Sequence, residues 1–315
     1  MKASLLSTIL GTCLMLTACS PDAVYTPVQD LTFADPEFKK CVVREARENG
    51  WVDAGHVLKL QCARPQGTKV SSISGIHKLV NLRELDLAHN AITDLAPLTE
   101  LQKLERLDLD DNLIAGLPSG LSHISIRQIS LNHNEISDLS EISLLQNLES
   151  LSLAANRIED ISPLEASTSL QALNLSHNAI SDIGIIGKLE QLKELDLSSN
   201  DIEDASPLAN LKVLEHLYIA SNRIADLNAI SDLHELRELD LSGNQITTIQ
   251  TLRSLVGVWR LTLDQNPIED ITPLLALSEL ELVSLKGIGN ISCEILETLI
   301  AEVGEDAVIV DENCI

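Results

Sequence analysis

The chain has 315 residues, with 22 Lys and Arg against 47 Asp and Glu, a formal charge of −25. That balance excludes nucleic acid as a natural partner, because phosphate binding needs a basic surface, and its plain consequence is solubility for a long, thin molecule. Aromatic residues make up 2% of the chain (Tyr25, Phe33, Phe38, Trp51, Tyr218 and Trp259), too few for an ordinary globular core of this length; the apolar content is carried by Leu and Ile, which predicts one packing unit used many times.

Residues 1–18 read as a segment outside the fold. Met1-Lys2 gives a positive start, and the apolar run from Leu5 to Leu16 is too short to span a bilayer as a mature helix. Leu16-Thr17-Ala18-Cys19 follows directly and resembles the lipobox of bacterial lipoproteins. The resemblance implies cleavage before Cys19, diacylglycerol on its thiol and, with Ser20 rather than Asp next, the outer membrane of a Gram-negative cell; it leaves open which side of that membrane the protein faces. Residues 19–33 are then a tether.

Residues 34–57 predict a helical N-terminal cap. Asp35-Pro36-Glu37 is a helix start with Pro in its first turn, and Phe38, Val42, Val43 and Ala46 supply an apolar face, with Trp51 and Leu58 expected to pack beneath it. Once Cys13 leaves with the signal and Cys19 carries lipid, Cys41, Cys62, Cys293 and Cys314 remain, one equally spaced pair at each end of the chain. An exported chain meets an oxidising compartment, so disulfides Cys41–Cys62 and Cys293–Cys314 are expected, each stabilising by about 3 kcal/mol. Zinc is a poor alternative, because the pairs are far apart and lack C-x-x-C spacing.

From about Leu58 to residue 290 the sequence repeats. Asn90, Asn112, Asn134, Asn156, Asn178, Asn200, Asn222, Asn244 and Asn266 recur every 22 residues, each closing the pattern L-x-x-L-x-L-x-x-N-x-I, as in Leu82 to Ile92. A further copy, Leu280 to Leu285, has Ile288 where Asn is expected, and Val70, Ile73, Ile76 and Leu79 match the second half of a repeat before the first copy. This pattern resembles the leucine-rich-repeat family, in particular the short repeats of bacterial internalins, and the segments Ile158 to Leu164 and Ile268 to Leu274 strengthen the likeness. The resemblance implies a right-handed α/β solenoid, a horseshoe with a parallel concave sheet and an extended or 3-10 convex side. It implies an architecture rather than a reaction.

Elementary physics gives the same positions. The central x-L-x-L is a short strand with Leu inward and its neighbours outward, and stacked strands bury one continuous core. The Asn side chain satisfies backbone groups where the chain leaves the strand. Asp94, Asp138, Asp160, Asp182, Asp204, Asp226 and Asp270 hold one fixed convex position and are expected to form turns. Residues 291–315 close the far end: Ser292 as N-cap of a helix carrying Ile295, Leu296, Leu299 and Ile300, then Val308-Ile309-Val310.

Two outward rows line the expected concave face. One reads Asp86, Asp108, Ser130, Ser152, Asn174, Asp196, Tyr218, Asp240, Thr262, Ser284; the other reads Glu84, Arg106, Gln128, Ser150, Ala172, Glu194, His216, Glu238, Arg260, Leu282. The middle is small and neutral, and the ends are charged. His216, Tyr218, Asp240 and Arg260, edged by Asp196, Glu238 and Trp259, place the only two aromatics of the array within a few strands, and Tyr, Trp and Arg are enriched at interface hot spots. These seven are the candidate partner-binding residues, weighed against free variation of a repeat surface.

Other chemistry fares worse. His216 beside Asp240 suggests a catalytic dyad, but no Ser or Cys nucleophile accompanies it and a smooth sheet excludes no water. Asp108, Asp110 and Asp111 are an acidic knot that could offer oxygens to Ca²⁺ or be a solvated face. His89, His133 and His177 recur every second repeat, about 10 Å apart, too far to share one metal. No cofactor is expected. The sequence therefore predicts a lipid-anchored, non-enzymatic scaffold that binds a protein through its concave face; the alternative is an envelope spacer without a hot spot.

Overall fold

The structure is a computed structural model that describes residues 26–64, 66–121, 125–289 and 291–311. The proposed signal segment, Cys19 and Cys314 lie outside the described residues. Twelve strands form one parallel sheet in sequence order: β1 (Lys59–Gln61), β2 (Glu84–Asp86), β3 (Arg106–Asp108), β4 (Gln128–Ser130), β5 (Ser150–Ser152), β6 (Ala172–Asn174), β7 (Glu194–Asp196), β8 (His216–Tyr218), β9 (Glu238–Asp240), β10 (Arg260–Thr262), β11 (Leu282–Ser284) and β12 (Val308–Ile309). This is a leucine-rich-repeat solenoid.

In β1 to β10 the central residue, a leucine except for Ile129 in β4, is the one of the three that is buried. Leu85, Leu107, Leu151, Leu195 and Leu239 are each at most 4% exposed and stack in register. A parallel sheet requires a crossover between neighbours, and here the return path is built from single 3-10 turns such as Ala96–Glu100, Ser162–Ala166 and Ser206–Asn210. The convex Asp residues set these turns. Asp94 accepts from the Ala96 N–H, Asp160 from Ser162 and Asp204 from Ser206, each Oδ1 within 2.9 Å.

The Asn ladder joins consecutive repeats. Asn112 Nδ2 donates to the carbonyl of Leu109 in its own repeat (3.1 Å) and of Leu87 in the preceding one (3.0 Å), while its Oδ1 accepts from the Ile92 N–H (3.0 Å). Asn200 makes the same set with Leu197, Leu175 and Ile180. Buried backbone groups at the strand exit thus find partners that no strand could supply. The residue before each ladder Asn turns through the left-handed region: His89, Asp111, His133, Ala155, His177, Ser199, Ser221 and Gln265 have φ between 53° and 59°, and Gly243 has φ 63°. The repeated histidines are therefore turn residues.

The N-terminal cap is α1 (Pro36–Asn49), with Asp35 as N-cap and Gly50 in the left-handed conformation at its end. Phe38, Cys41, Val42 and Ala46 are buried under it, and the Cys41–Cys62 disulfide ties it to the first repeat. Trp51 packs on the same core. Leu58 does not: it is 50% exposed. Its carbonyl accepts from both Arg83 and Glu84 N–H, which fixes Leu58 as an edge residue whose side chain turns outward, on the row continued by Arg83 and Glu105. At the other end α2 (Cys293–Val303) covers the core with Leu296 and Leu299. Ser292 occupies its N-cap position but its side chain makes no capping hydrogen bond. Cys293 is disulfide-bonded, and its expected partner is outside the described residues. No helix among the described residues is long and apolar enough to cross a membrane.

Candidate concave binding face

The register places the outward residues in two continuous rows. Lys59 pairs with Glu84, Glu84 with Arg106 and Arg106 with Gln128, while Gln61, Asp86, Asp108 and Ser130 run beside them. Farther along, Glu194, His216, Glu238 and Arg260 form one row and Asp196, Tyr218, Asp240 and Thr262 the other. Lys59 and Gln61 extend both rows by one strand. They were missed in the sequence because Cys62 stands where the third leucine of the repeat would be.

In the second group the organising residue is Glu238. Its side chain is 16% exposed; His216 Nδ1 lies 3.6 Å from Oε1, and Arg260 Nη1 3.8 Å from Oε2. The Tyr218 hydroxyl donates to Oε2 at 3.1 Å. Burial pushes the Tyr218 hydroxyl up to about 12, helped by the hydrogen bond to Glu238 and the Glu238 and Glu194 charges, so the phenol stays protonated and holds the carboxylate. A small hollow of about 70 Å³ opens between Tyr218, Glu238, Asp240, Arg260 and Thr262. The Tyr218 ring and the Glu238 carboxylate are thereby held together, with the exposed Arg260 guanidinium beside them on a surface that water can reach.

The remaining candidates take different places. His216 stands opposite Glu238, and Asp240 stands opposite Tyr218, so the His216–Asp240 pair suggested by the sequence is replaced by His216–Glu238. Asp240 turns one oxygen to the N–H and hydroxyl of Ser242 (3.0 and 2.6 Å), and Asp196 does the same to the Ser198 N–H. Trp259 precedes β10 and is half-buried on the flanking row between Arg237 and Glu281, beside the hollow rather than in its wall.

A larger hollow lies at the other end of the same face. Long side chains on β1 to β3 and Gln128 stand next to Ser130, Ser150 and Ser152, leaving about 390 Å³ lined by these and by Lys59, Glu84, Asp86, Arg106 and Asp108, among others. Glu84 is shared by Lys59 (3.0 Å) and Arg106 (3.7 Å). The Asp108 carboxyl is pushed up by burial and by the charges of Asp110 and Asp86, against the Asp110 N–H it accepts. The acidic knot itself is dispersed. Asp110 accepts from the Ser130 hydroxyl (2.6 Å) and the Asn132 N–H (2.8 Å), and Asp111 faces His89 Nδ1 at 3.0 Å. Among the described residues no group of three or more His, Cys, Asp or Glu is arranged to hold a metal ion.

Comparison with known proteins agrees with this geometry. The sequence matches the family "Leucine Rich repeats (2 copies)" over residues 80–123, 124–166, 168–210 and 212–254. Comparison with curated proteins gave no match. Among solved structures the chain is similar to an internalin (inlF) from Listeria monocytogenes, at 27% identity over 93% of this chain and 99% of that one, with a TM-score of 0.64. It is similar to internalin C2 (inlC2) of the same organism at 30% identity, over 76% of this chain and 98% of that one, with a TM-score of 0.58. A plant peptide hormone receptor (RGFR1), solved in complex with RGF2, shares the fold at 24% identity over 71% of this chain and 39% of that one, with a TM-score of 0.59. More than half of the sequence falls within the matched repeats and the twelve-stranded solenoid accounts for the rest of the likeness: the chain belongs to the leucine-rich-repeat family.

Proposed function

We propose that this protein is an exported scaffold, anchored by lipid at Cys19 to the outer membrane of a bacterial envelope, that binds another protein through its concave face. The carrying observation is the Glu238 cluster, where the Tyr218 hydroxyl donates to a largely buried carboxylate and His216 and Arg260 lie within 3.8 Å of it. An aromatic side chain held in place before binding, as Tyr218 is by Glu238, contributes affinity because little side-chain freedom is left to lose, and a neighbouring Arg adds a residue type enriched at hot spots. The family supports this reading in general terms, since its solenoids are interaction scaffolds rather than enzymes, and the plant receptor named above was solved with a ligand bound. The cysteine pairing at α1 suits an oxidising compartment.

The test is site-specific cross-linking in intact cells. A photo-reactive residue at position 218 should capture one discrete protein in stoichiometric yield, and the same residue at convex position 203 should not. Capture of the same species from both positions, or of none from position 218, would favour a spacer without a hot spot. Fractionation tests the anchor separately: Cys19→Ala should leave the membrane fraction.

A further inference from the structure

The chain carries a charge of −25, yet the outer face of its cap helix is basic. While Phe38, Val42 and Ala46 face the core, four cations, Lys39, Lys40, Arg44 and Arg47, and one acid, Glu48, line a shallow hollow of about 700 Å³ on the opposite side of α1. The other two acids of the helix are matched, Glu37 by Lys40 at 2.6 Å and the buried Glu45 by Arg44 at 3.1 Å, which leaves Lys39 and Arg47 against Glu48 and the face cationic on balance. A second hollow of about 200 Å³ adjoins the first, sharing Val43 and Arg47 and adding Trp51 and Val52. Val52 is 61% exposed, the most exposed large apolar residue described. Cations bordered by a Trp and an aliphatic side chain match the headgroup layer of an anionic bilayer, where Lys and Arg meet phosphates and indole lies at the apolar boundary.

The path of the chain points the same way. The Thr26 N–H donates to Asp53 Oδ2 at 2.6 Å, and the Val28 N–H to the Val52 carbonyl at 3.1 Å, so residues 1–25 join the body at the edge that carries Val52. On the reading that Cys19 is acylated, the stretch from Cys19 to Thr26 reaches at most about 25 Å even when fully extended. This edge of the cap is therefore held close to the lipid.

We propose that the outer face of α1, with Trp51 and Val52 at its border, docks on the anionic phospholipid surface to which the chain is tethered, so that the solenoid stands on its N-terminal cap and carries the repeats away from the bilayer. The acidic repeats do not oppose this arrangement. Screening acts within about 8–10 Å at physiological ionic strength, and each further strand adds about 4.8 Å, so only the first repeats feel the surface. The proposal rests on the anchoring reading for its tether but has its own test.

Every described element lies beyond residue 25, so a chain beginning at Cys19 contains all of them, and its fold is checked by circular dichroism before coupling. Its Cys19 thiol can be coupled to a maleimide lipid, supplying the tether whether or not the natural protein is acylated. In a Trp259→Phe background Trp51 is the sole Trp, and a nitroxide-headgroup lipid reports its proximity. Trp51 should be quenched on vesicles containing phosphatidylglycerol, not on phosphatidylcholine alone, and quenching should fade with added salt. Lys39→Glu with Arg47→Glu alters two accessible side chains that hold no hydrogen bond or ion pair in the described fold. It should lower the docked-to-free ratio roughly a hundredfold or more, since each cation near such a surface counts for about a factor of five. Equal quenching on both vesicles, no quenching on either, or quenching unchanged in the reversed variant would overturn the proposal. Loss of membrane association in Cys19→Ala cells bears on the anchor alone.

Discussion

Asp35 and Ser71 are 36 residues apart, yet Asp35 Oδ2 accepts from both the N–H and the hydroxyl of Ser71, at 2.8 and 2.9 Å, while Oδ1 caps α1 through the Glu37 and Phe38 N–H groups. One carboxylate thus starts the cap helix and fixes it to the first convex turn. Burial acts to raise the Asp35 carboxyl, but hydrogen bonds from Ser71, Phe38 and Glu37 outweigh it and hold the group below its ordinary value. The folded value being below the unfolded one of about 3.9, this stabilisation is complete above that range and lost as pH falls through the folded value. Asp35→Asn puts an amide N–H₂ where acceptors are needed. It should cost about 1–3 kcal/mol at neutral pH and flatten the acid limb of stability against pH, measured by denaturant unfolding; an unchanged acid limb would remove Asp35 from that role.

The ladder makes a sharper prediction inside the array. Asn200 is buried; its Nδ2 donates to three backbone carbonyls and its Oδ1 accepts from one backbone N–H, across two repeats. Asn200→Leu should lower stability by about 1–3 kcal/mol. Glu203→Ala, on the exposed convex surface, should change it by under about 0.5 kcal/mol. Similar losses in both variants would mean that the Asn side chains are not the joint between repeats.

Ala155 occupies the left-handed turn before Asn156 with φ 54°. A Cβ there meets the following carbonyl, and unlike His, Asp or Ser, Ala has no polar group to compensate. Ala155→Gly should therefore be neutral to stabilising, by up to about 1 kcal/mol, despite the greater freedom of Gly in the unfolded chain. A fall in the thermal midpoint would show that the turn is not strained at this position.

The repeat, the strand register and the convex Asp turns were legible in the sequence because each recurs at a fixed place, and recurrence separates a structural demand from chance. Positions used once were harder to read. Leu58 was expected under the cap because it is apolar, whereas its place just before β1 turns it outward. His216 was set beside Asp240, but the parallel register sets it opposite Glu238. Glu238 reads from the sequence as an edge residue of the candidate patch; its central place comes from three neighbours on two adjacent strands, which no single repeat encodes. The hollow near Asp86 and Asp108 depends on long side chains meeting short ones across five strands, a volume that the sequence pattern does not express.

The concave face is the central claim, and affinity measured beside stability tests it most directly. For the partner captured through position 218, dissociation constants should be measured for Tyr218→Ala, Arg260→Ala and the convex control Glu203→Ala, with thermal unfolding of each variant. Tyr218→Ala and Arg260→Ala should each weaken binding by about 1 kcal/mol or more, roughly fivefold. Their midpoints should move little, because neither side chain belongs to the leucine core, and Glu203→Ala should leave affinity unchanged. Unchanged affinity in both concave variants would contradict the account.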